Sequence, residues 1–239
     1  MGNSLTCNLD GLMSSNKLLP AVVTASRSAH TATLIFLHGL GDSGHGWAGM
    51  LKDLIPEYCK LICPHAPSTS VTLNGGMRMP AWYDIYNLQI DAKQDEKGIM
   101  EASAELDKFI AAEISNGIPA KRIVIGGFSQ GGSVALYHAL TSNRAYGGVI
   151  ALSSWLPLHS KFISDPSLIQ IAKDTAVFQG HGSSDYIVAH DMGRATHELL
   201  KGFQLSSCEF CSYDHMGHSS CEQEMDDVKA FLKRNIPAT

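Results

Sequence analysis

Arg122–Leu140 reads RIVIGGFSQGGSVALYHAL, and the fold turns on how its two halves meet. Arg122 to Gly126 is apolar, β-branched and closed by glycine, the pattern of a short buried strand. Gly132 to Leu140 has the composition of a helix. Between them stands Gly127-x-Ser129-x-Gly131, a strand–turn–helix junction of the nucleophile-elbow type. A strand that reverses this sharply into a helix brings the two backbones together, so the flanking side chains must shrink to hydrogen. The serine at the bend is forced into a strained conformation that lifts its hydroxyl clear of the sheet, beside the N-terminus of its own helix. In a chain with 22 glycines the string alone is a weak signal, so its context decides.

Outward from the elbow, strands and helices alternate. Ala21 to Ser26 and Thr31 to Leu37 read as strands, followed by a glycine-rich loop, residues 38–46, and a short helix from about Trp47 to Leu54. Cys59 to Cys63 is the next strand, and residues 65–80 read as a long loop broken by Pro67, Pro80 and Gly75-Gly76. Residues 95–116 form the clearest helix, with Ile99, Ala102, Leu106, Phe109, Ile110 and Ile114 on one face. After the elbow come strands at Gly148 to Leu152 and Thr175 to Gln179, a helix at His190 to Lys201 and a strand at 204–213. A last helix begins at Ser219 or Ser220 as a capping box with Glu222 or Gln223, and buries Met225, Val228 and Leu232. This alternation predicts a single α/β domain, residues 20–239, with a mainly parallel sheet covered on both faces, behind a polar tail, residues 1–19.

Composition narrows the function classes. The 239 residues carry a net charge of −5 with no basic block, which speaks against nucleic acid as a partner. No run approaches the ~18 apolar residues of a membrane span. The six cysteines are scattered, which suits a reduced intracellular protein, and the expected location is cytoplasmic. Cys208 and Cys211, three apart on a strand, point to opposite faces, too far apart for a disulfide. No metal or cofactor motif stands out.

In a parallel sheet, functional groups gather in loops at the carboxyl ends of strands. The loop after Gln179 offers Asp185, and the loop after Tyr213 offers His215 and His218. A serine hydroxyl needs a base to take its proton, and the base needs a carboxylate to hold its tautomer and its cation. Asp191 falls in a helix and Asp174 at the wrong end of its strand, so Asp185 is the acid on position. Spacing alone does not choose between His215 and His218. His138 and His181 read as structural. The loop at 38–46 leaves backbone N–H groups uncovered beside the elbow, where an oxyanion hole would use those of Leu40 and Gln130.

Six stretches, Phe36–Asp42 (FLHGLGD), Pro64–Pro67 (PHAP), Met79–Asp84 (MPAWYD), Gly126–Gly132 (GGFSQGG), Leu152–Pro157 (LSSWLP) and His218–Cys221 (HSSC), together resemble the acyl-protein thioesterases. These are lysophospholipase-like small carboxylesterases within the α/β-hydrolases, and the resemblance covers about residues 20 to 235. It implies Ser129 as nucleophile, Asp185 as acid, His218 as base in preference to His215, and Leu40 and Gln130 at the oxyanion hole. It also implies palmitoyl thioesters on protein cysteines, or lysophospholipids, as substrates. A general carboxylesterase acting on oxygen esters is the alternative. Independently of the resemblance, only 55 residues lie between Ser129 and Asp185, too few for a cap domain, so a leaving group as bulky as a protein has room.

Two further expectations concern lipid. Val71, Leu73, Met77 and Met79, with Trp82, are placed to line an acyl channel or touch a membrane, because their loop leaves the carboxyl end of a strand. The first six residues, MGNSLT, fit the N-myristoylation pattern at Gly2, and Cys7 offers a site for a palmitoyl group. One myristoyl chain holds a membrane only marginally, so a second anchor at Cys7 would make the protein peripheral to the membrane.

Overall fold

Ala32–Leu37 (β2) is six buried residues in a row, and such a strand is stable only with helices on both of its faces. The computed structural model, which describes residues 17–89, 92–205 and 207–239, supplies them. In chain order, β1 (Ala21–Thr24) and β2 are followed by α1 (Gly44–Leu51), β3 (Cys59–Pro64), β4 (Ser68–Val71) and β5 (Met77–Pro80). Next come α2 (Glu96–Ser115), β6 (Ile123–Phe128), α3 (Gln130–Thr141), β7 (Gly148–Leu152) and α4 (His159–Ser164). The chain then runs through β8 (Val177–Gly182), α5 (His190–Gly202), β9 (Cys208–Tyr213) and α6 (Glu222–Asn235). The sites of acylation read from the tail, Gly2 and Cys7, lie outside the described residues.

Seven strands form one sheet in the order β1-β3-β2-β6-β7-β8-β9, parallel throughout except for β1, which runs antiparallel to β3. Alternation along the strands divides the core into two layers. Ile35, Leu37, Ile123 and Ile125 pack with α2, α3 and α5 on one face, while Leu34, Phe36, Val124 and Phe178 pack with α1 and α6 on the other. Cys208 joins the first layer and Cys211 the second, so both are free thiols on opposite faces of β9. From β2 the chain proceeds outward in one direction to β3, and from β6 in the other to β9. The order therefore reverses between β2 and β6, and a crevice opens where their carboxyl ends part.

Several local readings need correction. The strand expected at Thr175 to Gln179 runs instead from Val177 to Gly182, and Ile114, read on the apolar face of the long helix, is exposed near its C-terminal end. Residues 65–80 are not an open loop: β4 and β5 pair antiparallel from Val71↔Met77 to Ser68↔Pro80, around a turn in which Gly75 (φ 65°) and Gly76 (φ 80°) take left-handed backbone. The helix after the glycine-rich loop starts earlier, at Gly44, and ends at Leu51; its first residue must be glycine, because a Cβ there would lie 2.1 Å from the carbonyl oxygen of Cys63. The strand expected at 204–213 begins only at Cys208, after Gln204 takes φ 62° to end α5. Finally, the capping box is not formed. Cys221 is the N-cap of α6 without a side-chain bond, since Ser219 N–H is spent closing a turn on Gly217 O (2.9 Å).

Helix α6 carries an unusual group, Glu224, which is fully buried against Gly180 with neither carboxylate oxygen hydrogen-bonded. Burial, reinforced by the charge of Asp227, raises its pKa from 4.5 to about 8. The folded protein thus holds a proton that the unfolded chain releases near its ordinary value. Stability on this account falls as pH rises from about 4.5 to about 8, by on the order of 1 kcal/mol per unit. Glu224→Gln, neutral at every pH, is expected to melt progressively higher than the parent as the buffer is moved from about pH 5 to about pH 8. Parallel melting profiles across that range would refute this.

Candidate active site

At the crevice, β6 runs into α3 through Ser129, whose backbone is strained at φ 52°, ψ −119°. Close packing explains why the flanking positions are glycine: a Cβ on Gly127 would lie 2.4 Å from the carbonyl carbon of Gly131, and one on Gly131 would lie 2.2 Å from Leu37 O. Hydrogen bonds hold the strained residue in place. Its N–H donates to Leu152 O (2.8 Å), and its carbonyl accepts from Ser154 Oγ (2.7 Å) and Ser133 N–H (3.1 Å).

The loop after β9 brings His218 over the elbow, with Nε2 3.0 Å from Ser129 Oγ and Nδ1 2.8 Å from Asp185 Oδ2. The ring packs against Phe128, centroids 4.7 Å apart. Since a carboxylate only accepts, the proton sits on Nδ1, and Nε2 is left as the acceptor facing the serine hydroxyl. Asp185, its side chain wholly buried, takes Ile187 and Val188 N–H on Oδ1 (both 2.9 Å). Burial works to raise its pKa, but hydrogen bonds from His181 and His218, with the Val188 N–H, outweigh it and hold the carboxyl well below the usual range. His215 points elsewhere. It sits at φ 60° on the exposed tip of the turn, with its N–H on Ser183 Oγ (3.0 Å).

The β2 loop lies directly beside Ser129, a Cβ on Gly39 being 3.4 Å from Ser129 Cβ. A clamp invisible in the sequence pattern fixes it. Ala66 N–H donates to His38 Nε2 (3.0 Å), so the ring proton is on Nδ1 and goes to Gly39 O (2.7 Å). Burial lowers the pKa of His38 and keeps it neutral in that tautomer. Trp82 donates its indole N–H to His38 O (2.8 Å) and its backbone N–H to Gln130 Oε1 (3.0 Å), while Gln130 Nε2 donates to Tyr83 O (2.7 Å). Leu40 lines the cleft with Ser129, and Gln130 opens α3. Neighbouring N–H groups are consumed elsewhere, Gly41 on Pro80 O and Asp42 on Gly39 O.

Around Ser129 and His218 the structure forms a cleft of about 540 Å³ walled by Leu40, Trp47, Met50, Ile85, Leu88 and Trp155. A second, more enclosed cavity shares Ile85, Leu88 and Trp155 and runs on between Tyr83, Leu156 and Leu199. The residues expected to line an acyl channel are not among these walls. Val71 is fully buried under the hairpin, Leu73 and Met77 are exposed on it, Met79 packs near Gly41, and Trp82 is buried in the clamp just described. The hairpin meets the cleft-lining segment through Leu73, whose N–H donates to Ile85 O (2.8 Å), and through Thr72, whose N–H and Oγ1 donate to the Asp84 carboxylate (2.7 and 2.6 Å). Trp155 had a sequence signal, standing three residues past the carboxyl end of β7. Ile85 and Leu88 had none, because residues 81–94 show no helical or strand period.

Among the described residues there is no cluster of three or more His, Cys, Asp or Glu placed to hold a metal, and no helix is long and apolar enough to cross a membrane.

Comparison with known proteins agrees with this architecture. Residues 19–236 match the phospholipase/carboxylesterase family. The chain is 45% identical over 223 residues to acyl-protein thioesterase 1 of Cryptococcus neoformans, covering 86% of this chain and 93% of that one. It is 42% identical over 229 residues to acyl-protein thioesterase 1 of Neurospora crassa, covering 91% and 92%. The crystal structure of Zea mays acyl-protein thioesterase 2 superposes with a TM-score of 0.83 at 31% identity, over 91% of this chain and 99% of that one.

Proposed function

Because the chain belongs to the phospholipase/carboxylesterase family of hydrolases, which includes the acyl-protein thioesterases, we propose that it cleaves long-chain acyl thioesters from protein cysteines with Ser129, His218 and Asp185 as its catalytic triad. The observation that carries this is the unbroken chain from Ser129 Oγ through His218 to a buried carboxylate, set at the floor of an apolar cleft. Ser129 Oγ attacks the acyl carbonyl while His218 Nε2 takes its proton, and Asp185 stabilises the imidazolium. The negative oxygen of the tetrahedral intermediate sits toward the N–H groups of Leu40 and Gln130 and the N-terminus of α3. His218 then returns the proton to the departing sulfur, leaving an acyl-enzyme. Water, deprotonated by the same imidazole, attacks that ester; as the acyl–oxygen bond breaks, His218 returns the proton to Ser129 Oγ and the fatty acid leaves.

The walls of the cleft and the short connection between Ser129 and Asp185 support this substrate class. Ile85, Leu88 and Trp155 offer an acyl chain a surface with little to hydrogen-bond. Of residues 130–184, α3, β7, α4 and β8 take 29 and the rest are the short connections between them, one of which supplies the wall residue Trp155; that is too little chain for a cap domain that would exclude a protein from the cleft. The catalytic unit on this reading is residues 20–239. The segment ahead of it, with Gly2 and Cys7, would hold the enzyme near acylated substrates at a cytoplasmic membrane face.

The test is labelling by a fluorophosphonate probe, followed by hydrolysis of a palmitoyl-thioester peptide, a lysophospholipid and an acetyl ester. Labelling at Ser129 with the palmitoyl thioester preferred supports the reading. Labelling with preference for the lysophospholipid or the acetyl ester would make the protein a lysophospholipase or a general carboxylesterase. Leu88→Asp sets a charge in the wall common to both cavities. It is expected to reduce kcat/KM for the palmitoyl substrate about tenfold to a hundredfold while leaving the acetyl ester within about threefold. Equal loss on both would remove Leu88 from the acyl path.

A further inference from the structure

His181 is the fifth of the six residues of β8 and is 1% exposed. Its Nε2 lies 2.8 Å from Val188 O and 3.4 Å from Asp185 Oδ2. A carbonyl oxygen only accepts, so the proton is on Nε2 and points into the turn that carries the acid. That turn is closed from within by Asp185 itself, whose Oδ1 takes the N–H groups of Ile187 and Val188. The one imidazole therefore touches both ends of the closure: the carbonyl that finishes the turn, and the same oxygen that receives His218 Nδ1.

Space has been cleared for this ring. Gly193, inside α5, faces His181, and a Cβ there would stand 2.4 Å from Nδ1. Glycine in a helix interior costs about 1 kcal/mol relative to alanine, so the close approach is kept against local preference. His190 meets the ring edge-on at 5.7 Å, and Phe210 lies nearly parallel at 6.5 Å, which restricts rotation of the imidazole.

We infer that His181 is a positioning residue for the reaction: it pins the Asp185 turn through Val188 O and shares its proton with Asp185 Oδ2, so that the carboxylate is held at the distance and charge that keep His218 oriented. This rests on the triad reading given above. It differs from a packing role, in which the ring merely fills space between β8 and α5. The low pKa of Asp185, to which His181 contributes, is consistent with it.

The experiment uses the full chain and reports kcat per active site, with sites counted by fluorophosphonate burst titration. His181→Leu, which keeps bulk and removes the donor, is expected to lower kcat per titrated site tenfold to a hundredfold, on the order of what small misplacements of catalytic groups cost, with KM within about twofold. His181→Gln places an amide N–H near the position of Nε2 and is expected to recover most of that loss. Gly193→Ala, which removes no functional group and improves helix propensity, is expected to lose at least about fivefold by displacing the ring. A packing role predicts something else: fewer titratable sites and a lower Tm, but unchanged kcat at each site. Unchanged kcat per site in His181→Leu, or no recovery in His181→Gln, overturns the inference. Should His181→Leu not fold, the decision passes to the other two variants, and equal kcat in both overturns it. Full activity of Ser129→Ala would instead overturn the triad reading itself.

Discussion

Ser129→Ala and His218→Ala are each expected to lose about 10⁴- to 10⁶-fold in kcat, while His215→Ala stays within about twofold of the parent. The separation between the two histidines follows from their places on one short turn. His218 lies between the serine hydroxyl and the buried carboxylate, 3.0 Å from one and 2.8 Å from the other. His215 is three residues earlier, exposed, and engaged only through its backbone N–H. Ser129 is small and makes its supporting hydrogen bonds through its backbone, so removal of Oγ is expected to leave Tm almost unchanged. Steady-state hydrolysis with melting curves for all three variants checks this. A dead His215→Ala beside an active His218→Ala would move the base to the other histidine.

Asp185→Asn should cost about 10⁴-fold in kcat with the fold retained. The carboxamide keeps an oxygen to accept Ile187 and Val188 N–H, which places its NH₂ group where Oδ2 now faces His218 Nδ1 and His181 Nε2. Both of those nitrogens carry protons in the parent, so the amide meets donors with a donor. The simplest relief is for His218 to shift its proton to Nε2, and a protonated Nε2 no longer accepts from Ser129 Oγ. Loss is thus expected in kcat and in the rate of fluorophosphonate labelling together, with KM little altered. A variant within tenfold of the parent in both rates would mean that the carboxylate does not set the tautomer.

Much of the framework was legible because each element advertises its buried face. The alternating layers of β2 and β6, the stripe of α2 and the glycines of the elbow follow from local sterics and apolar periodicity, which neighbours in sequence suffice to specify. Reading residues 65–80 as a loop failed on the same ground. Prolines and glycines mark turns, but whether the pieces between them pair depends on contacts such as Leu73 to Ile85 that lie outside the window. The serines ahead of the last helix misled similarly, the Ser219 N–H being drawn into the turn that places His218.

By itself the sequence determined the parallel α/β framework, the strained serine at a strand–helix junction, and a carboxylate and an imidazole at carboxyl ends of later strands. Residue spacing left His215 and His218 open and the resemblance favoured His218, which the tertiary structure places at Ser129; only the tertiary structure decided that His181 and His38 brace the Asp185 turn and the glycine-rich loop, and that Ile85, Leu88 and Trp155 rather than the hairpin wall the cleft. The reason is topological. Backbone sterics and periodicity act over a few residues, whereas the cleft is assembled where strand order reverses between β2 and β6, from loops up to about 180 residues apart in the chain, and no local signal encodes that meeting.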